Sequence, residues 1–344
     1  MMQISPETQL FIREHSSDDV RVLALQAKKY PDIDMPTAIT QIAGRKVAAE
    51  KIPSWWEIEK IWYPKHLSLE QCSSEITARY KARLLQGDSL TDLTGGFGID
   101  CSFLATGFKS ATYVERQEEL CEIAAHNFPV LNLNHINIKN EDGVTYLQVM
   151  SPVDSLFLDP ARRNEHGGKT VAISDCEPNV AELEELLLQK ANRVMIKLSP
   201  MLDLSLALKE LKQTQEVHIL SVNNECKELL ILLGQTSPAE ISIHCVNLFT
   251  KGTQKEQHFV FTREQEQCSE CTYTDSLETY LYEPNASLLK AGAFRSIAAA
   301  YPVRKLHPNS HLYTSDTFIE NFPGRIFRIV NQCSFCLLYT SDAA

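Results

Sequence analysis

The sequence predicts an α/β protein built on an open, mostly parallel sheet, and three observations predict it. Ser89–Phe108 reads as a β-strand running into a glycine-rich turn and then a helix. Further β-prone runs follow, separated by segments with helical patterning. The first four runs end in order on acids, Asp92, Glu115, Asp142 and Asp159. All four would lie on the carboxyl edge of a parallel sheet, where open α/β folds bind their ligands.

Ahead of this core, residues 1–85 read as helices, with apolar positions at helical spacing in SSDDVRVLALQAKKY and MPTAITQIAGRKVAAEKI. Ser16 and Ser17 are candidate caps before Asp18 and Asp19. The stretch PSWWEIEKIWYP holds all three tryptophans, Trp55, Trp56 and Trp62. They can stack on unpaired bases or pin a helical layer to the sheet domain. Packing is the preferred reading, since tryptophan contributes contact area more often than ligand contacts.

In the first strand Leu90 and Leu93 precede Gly95, Gly96 and Gly98, and Ile99, Phe103 and Leu104 then recur at helical spacing. Glycines let the backbone turn tightly and approach a ligand closely. A dinucleotide fingerprint would place a third small residue where this chain has Cys101, so a dehydrogenase is disfavoured. The next strand, ATYVER, ends in Glu115, about twenty residues beyond the loop, where a carboxylate can accept hydrogen bonds from ribose hydroxyls. INIKNED ends at Asp142 before Gly143, and VDSLFLDPARR stops at Asp159-Pro160. NRVMIKLSP, EVHILSV, KELLILLG, EISIHCVNLF and HFVFT supply further strands, and EQEQCSECTYTDS reads as a polar linker. From Tyr280 a distinct segment begins, a helix flanked by strand-like pieces.

This succession resembles the class I S-adenosylmethionine-dependent methyltransferases over roughly Thr77 to Leu233. The upstream SSEITARYKARLL and the later order of segments are similar, more narrowly, to bacterial members with a C-terminal THUMP-like domain, a group akin to RNA guanine-N2 methyltransferases. The resemblance implies a Rossmann-like seven-stranded sheet whose last pair, VHILSV and ELLILLG, forms an antiparallel edge. It implies a helical domain over 1–85, a methyltransferase domain over 86–265 and a small ferredoxin-like α+β unit over 275–322. A truncated THUMP-like domain would begin over 323–336, and residues 337–344, within the tail CLLYTSDAA, read as non-native. S-adenosylmethionine is the implied cofactor. Its implied contacts are Asp92, Thr94, Gly95, Gly96 and Gly98 of the turn, Glu115 at the ribose, and Asp142 with Gly143 at the adenine. The motif after the fourth strand, usually [DN]PP[FY], reads DPAR, which makes Asp159, Pro160 and Arg162 the catalytic candidates.

Composition bounds what such an enzyme can act on. A formal charge of −11 argues against a surface that attracts nucleic acid everywhere, so any RNA contact has to be local. Between Pro284 and Val330 six basic residues, Lys290, Arg295, Arg304, Lys305, Arg325 and Arg328, face only Asp316 and Glu320, which marks a candidate RNA-facing patch. No basic leader with an apolar core and no membrane-length apolar run is seen, so the expectation is a cytoplasmic enzyme without a membrane partner. Ten scattered cysteines fit reduced thiols. The pairs Cys268/Cys271 and Cys333/Cys336 are too far apart for a zinc ribbon, and the histidines, among them His126, His135 and His166, show no metal spacing. No metal site is therefore expected.

Methyl transfer from a sulfonium needs alignment and exclusion of water more than covalent help. Asp159 and the Pro160 carbonyl can accept from an exocyclic amine, and Arg162 can stack on a base or hold a phosphate. DPAR is similar to the DPPR of 5-methyluridine RNA methyltransferases, but those need a cysteine after the fifth strand, where this chain has KLSP with Ser199. Serine cannot supply that thiolate, which favours nitrogen as the methyl acceptor. Thr77, Arg79 and Lys81 can reach the cofactor carboxylate or form a solvated charged face. The expected function is methyl transfer to a base nitrogen of structured RNA, tRNA or rRNA. The alternatives are a protein or small-molecule substrate, or a non-catalytic RNA-binding protein that retains the fold. Oligomeric state is left open.

Overall fold

The computed structural model describes residues 4–162, 172–236 and 238–332, with Arg162 described by its backbone. Two compact units emerge, Met1–Gln213 with Leu232–Ser237, and Thr214–Ile231 with Pro238–Ala344.

In the first unit six helices precede the sheet: α1 (Pro6–Glu14), α2 (Val20–Leu25), α3 (Met35–Lys51), α4 (Pro53–Trp56), α5 (His66–Gln71) and α6 (Glu75–Ala82). Their starts follow local chemistry. Ser5 and Asp34 accept from the Thr8 and Thr37 backbone N–H groups, and prolines occupy the first turns of α1 and α3. The cap of α2 is Asp19, which accepts from Arg21 N at 2.8 Å, rather than the expected Ser16 or Ser17. Phe11, Leu23, Met35, Ala38 and Ile42 form one small core. A second core joins Ile52, Trp55 and Tyr63 from the helical region to Phe97 and Ile99 of the glycine turn and to Leu120 and Ile123.

The main sheet has nine strands: β1 (Ser89–Asp92), β2 (Ser110–Glu115), β3 (Ile136–Asn140), β4 (Val153–Leu158), β5 (Ala191–Leu198), β6 (Thr214–Val222), β7 (Glu225–Gly234), β8 (Ser242–Leu248) and β9 (Glu256–Thr262). Their order is β3-β2-β1-β4-β5-β7-β6-β8-β9. Pairs among β1 to β5 are parallel and are crossed by α7 (Ile99–Ala105), α8 (Glu118–Val130), α9 (Gly143–Val149) and α10 (Val180–Lys190); α11 (Leu204–Glu210) follows β5. Parallel strands need such crossovers, and burial on both faces explains runs such as Leu156, Phe157 and Leu158.

The second unit contains β6, joined to β7 through Asn223 and Asn224 at φ +51° and +67°, left-handed values that suit a two-residue hairpin. The expected antiparallel pair is there, but β6 is not an edge. Strand β8 pairs with it in parallel from Ser242↔Glu216 to Leu248↔Val222, and β9 then adds in antiparallel fashion.

The polar run read as a linker is ordered: Arg263–Cys268 forms α12, begun by a capping box between Thr262 and Gln265. Its Glu266 accepts the backbone N–H groups of Phe294, Arg295 and Ser296 at 3.0, 2.8 and 2.9 Å. A carboxylate at these N–H groups completes the start of α14 (Phe294–Ala300). Where one helix was expected there are two, because α13 (Ala286–Ala291) stops at Gly292, whose φ of +75° is left-handed. Strands β10 (Tyr280–Pro284), β11 (Arg304–Lys305), β12 (Tyr313–Ser315) and β13 (Gly324–Arg328) form a small antiparallel sheet in the order β11-β12-β10-β13. Tyr282, Tyr313 and Phe322 fill its core.

Candidate active site

The glycine turn is clamped from three sides. Leu93 N donates to Phe157 O at 3.0 Å, Gly95 N to Val114 O at 2.8 Å, and Gly98 N to Gly95 O at 2.8 Å. Glu115, at the tip of β2, accepts from Gly96 N at 2.9 Å through one oxygen and from Gln117 N at 2.8 Å through the other. The glycines differ in what they permit. A Cβ on Gly95 would sit 2.2 Å from the buried Tyr113 ring, whereas Gly96, at φ +53°, would meet nothing closer than 3.8 Å. Gly143 lies against the Leu93 carbonyl, where a Cβ would come within 2.2 Å.

Beneath the turn the acids take different states. Asp92 accepts from Thr94 N at 3.0 Å, while its Oδ2 is buried without a partner among the described residues. Burial pushes its carboxyl well above the ordinary carboxylate range. Thr94 Oγ1 in turn accepts from Asp159 N at 2.6 Å. Asp159 pairs with Lys197 of β5 and keeps 36% of its side chain exposed. Burial raises its carboxyl, and the ammonium pulls it part of the way back.

Asp100, in the first turn of α7, lies 2.9 Å from Lys81 Nζ and 3.7 Å from Lys197 Nζ, and Ser73 Oγ donates to it at 2.7 Å. Burial pushes this carboxyl up, but the two ammonium groups and Ser73 outweigh burial and hold it below its ordinary value. Two lysines and two carboxylates thus share one largely buried network. Such networks are costly to desolvate, and they cluster at functional sites.

Of the predicted residues, hydrogen bonds link Asp92, Thr94 and Asp159 in one set, Gly96 and Glu115 in a second, and Gly95 and Gly98 in a third. Asp142 is exposed and caps α9, its Oδ1 accepting from Val144 N and Thr145 N at 3.0 Å each. Pro160 is buried, and Ala161–Arg162 pairs with Cys176–Glu177 in a short antiparallel ladder. The Arg162 side chain, Arg163, Glu165, His166, Cys333 and Cys336 lie outside the described residues. Lys81 is fully buried and Thr77 nearly so, whereas Arg79 pairs with Glu75 on the exposed face. Sequence reasoning missed Lys197, Asp100 and Ser73. Lys197 stands two residues before Ser199 in KLSP, and only the serine drew attention.

The tryptophans divide. Trp55 packs edge-on to Phe97 at 5.2 Å and Trp62 stacks on His126 at 3.7 Å, both structural roles, while Trp56 stays exposed under Arg45. The basic patch shrinks on inspection. Arg304 pairs with Glu278, Arg325 pairs with Glu283, and Lys305 is buried. Both partners lie just before the window from which the excess was counted. The eight described cysteines form no disulfide with one another. No helix among the described residues is long and apolar enough to cross a membrane.

The strand order β3-β2-β1-β4-β5-β7-β6, with a glycine turn after β1 and acids along the carboxyl edge, defines the class I methyltransferase architecture. A protein of Porphyromonas gingivalis W83 assigned as a methyltransferase is 34% identical, covers 100% of this chain and 87% of its own, and superposes with a TM-score of 0.86. The chain belongs to the same methyltransferase family. A family model described as a ferredoxin-like domain matches residues 280–323. More distant is M. capricolum TrmK bound to S-adenosylhomocysteine, at 12% identity over 47% of this chain and 68% of its own, with a TM-score of 0.37. An rRNA methylase from Streptococcus thermophilus is 15% identical over 46% of this chain and 93% of its own, with a TM-score of 0.33. No curated protein matches the chain.

Proposed function

We propose that this methyltransferase uses S-adenosylmethionine to methylate a base nitrogen of structured RNA, a tRNA or rRNA. The observation that carries the cofactor reading is the Glu115–Gly96 clamp beside a buried, unpartnered Asp92 oxygen. A left-handed Gly96 with open space above it and an orphaned acceptor or donor suit a polar ligand laid over the turn. Thr94, Gly95, Gly96 and Gly98 would hold the methionine portion, Glu115 the ribose, and Asp142 with Gly143 the adenine. When bound, the sulfonium supplies a methyl group that is already activated.

The chain's own residues then have to orient a nucleophile. Asp159 and the Pro160 carbonyl would accept from an exocyclic amine, and Asp159 would take the proton that the amine releases. Lys197 fixes the carboxylate from the neighbouring strand. Ser199 in place of a thiol argues against the covalent route to a pyrimidine carbon. Arg162 remains the candidate for stacking on the target base. RNA as the substrate rests on this nitrogen-directed chemistry and on Arg295 and Arg328, the exposed arginines of the reduced patch.

Two measurements test the reading. Calorimetry with S-adenosylhomocysteine should show binding by the intact chain, weakened at least about tenfold in Glu115→Ala, which removes the carboxylate that accepts from Gly96 N of the turn and from Gln117 N. Absence of binding by the intact chain would sink the cofactor assignment. Labelled methyl groups should enter total RNA from a deletion strain, and label confined to protein would exclude RNA.

A further inference from the structure

The second unit carries a cluster that the methyl-transfer site does not use. His218, His244 and His258 are widely spaced in sequence, yet they stand on three neighbouring strands, β6, β8 and β9. His244 is the direct parallel partner of His218, and Glu216 opposes Ser242 two residues earlier on the same face. Across the antiparallel ladder His244 faces Val260 and Val246 faces His258, so His258 is the diagonal neighbour of His244. Strand pairing on both sides of β8 fixes the backbone from which these side chains project.

The donor atoms are close. His218 Nε2 lies 3.2 Å from a Glu216 carboxylate oxygen, and His244 Nδ1 lies 3.1 Å from His258 Nε2. One ligand atom each from Glu216, His218 and His244 can be chosen so that all three lie within 4.8 Å of one another. Metal–ligand bonds of about 2.0 Å in a tetrahedron put neighbouring donors about 3.3 Å apart. One edge of this triangle, His218–Glu216, therefore already stands near ligand spacing, and the two edges to His244 need only side-chain rotation. The His218 and His244 rings are stacked, with centroids 4.3 Å apart and planes 15° from parallel. An ion lying in both ring planes requires them to tilt out of that stack, a change of χ angles that leaves the strands where they are.

We propose that Glu216, His218 and His244 form a site for one divalent late transition-metal ion of the zinc class, with His258 orienting His244. Two imidazoles and one carboxylate match the three-ligand zinc sets that leave a fourth position open. Nitrogen donors of this kind select against magnesium and calcium, which take oxygen. A metal-bound imidazole is fixed by donating its other ring N–H to an outer acceptor, and His258 Nε2 stands 3.1 Å from His244 Nδ1 to accept it. The site pins β6 to β8.

The test uses the full chain, stripped with EDTA and titrated with zinc by calorimetry and with cobalt by visible absorption. Binding of about one ion per chain is expected, with intense d–d bands from a tetrahedral cobalt site. His218→Ala and His244→Ala should each weaken binding at least about 100-fold, and His258→Ala about 10-fold. Cys268→Ser/Cys271→Ser should leave it unchanged. His244→Gln, which keeps a polar side chain of similar length, serves if the alanine variants misfold. No stoichiometric binding by the wild-type chain, equal binding by the His218 and His244 variants, or loss only in the cysteine variant would each overturn the proposal.

Discussion

Asp159 and Lys197 stand just beyond Leu158 and Ile196, the last paired residues of β4 and β5, so strand register alone delivers the ammonium to the carboxylate. Lys197 also lies 3.7 Å from Asp100, which makes it the link between the strand ends and the first turn of α7. Its removal takes from Asp159 its directly paired ammonium and leaves only the weaker pull of Lys81, which stays paired with Asp100.

Lys197→Met should therefore destabilise the chain by about 2 kcal/mol, less than a fully buried pair because Asp159 retains solvent contact. Asp159→Asn in the same chain should recover a large part of that loss. Urea denaturation of both single variants and the double variant checks it. Strictly additive effects would show that the two side chains are not coupled.

Neighbouring glycines of the turn should respond unequally to the same substitution. Gly95→Ala drives a methyl into the Tyr113 ring, which is fully buried, and should cost about 1–3 kcal/mol. Gly96→Ala meets open space and bears only the strain of its left-handed φ, about 1 kcal/mol. Thermal unfolding of the two proteins gives the ranking. A Gly95→Ala protein as stable as Gly96→Ala would show that the turn is not held against Tyr113.

Much of this site was legible because it obeys local rules. The glycines, Glu115 and Asp159 sit where strand patterning ends, and period-two burial plus a following turn locates them directly. Lys197 was hidden because its meaning depends on which strand lies beside β4, a fact of topology. Glu266 was hidden for the same reason, since a polar run looks like a linker until the helix it caps, 28 residues on, is placed beside it. The histidine cluster is the extreme case: its members share no sequence spacing, and only the β6–β8–β9 register unites them.

The raised carboxyl of Asp92 gives a pH signature. Near its ordinary value of 3.8 the unfolded chain releases this proton, while the folded chain keeps it to higher pH. The folded state then binds more protons, so Asp92 erodes stability as pH climbs above that value, until its folded pKa is passed. Asparagine resembles the protonated form and can still accept from Thr94 N. Asp92→Asn should consequently raise the melting temperature at neutral pH by about 2–4 °C, the gap closing as pH falls toward 4. The lowered carboxyl of Asp100 has the opposite sign, stabilising above its unfolded value and failing in acid, but it is common to both proteins and cancels. Equal melting curves at every pH would place an ionised Asp92 in the folded chain.

If the substrate is RNA, the arginines of the small sheet and of α14 should separate into two groups. Arg304 and Arg325 are already paired with Glu278 and Glu283, so a phosphate has to compete with a carboxylate for each. Arg295 and Arg328 are exposed and present charge that a backbone phosphate can take. Each phosphate contact releases counter-ions, so the salt dependence of binding counts contacts. Arg295→Ala and Arg328→Ala should each lower the magnitude of the log–log salt slope by roughly 0.7–0.9, whereas Arg304→Ala and Arg325→Ala should leave it unchanged. Filter binding of total tRNA and of rRNA fragments across a salt series reads the slopes directly. Slopes unchanged from the parent chain in all four variants would remove the small sheet and α14 from the RNA-binding surface.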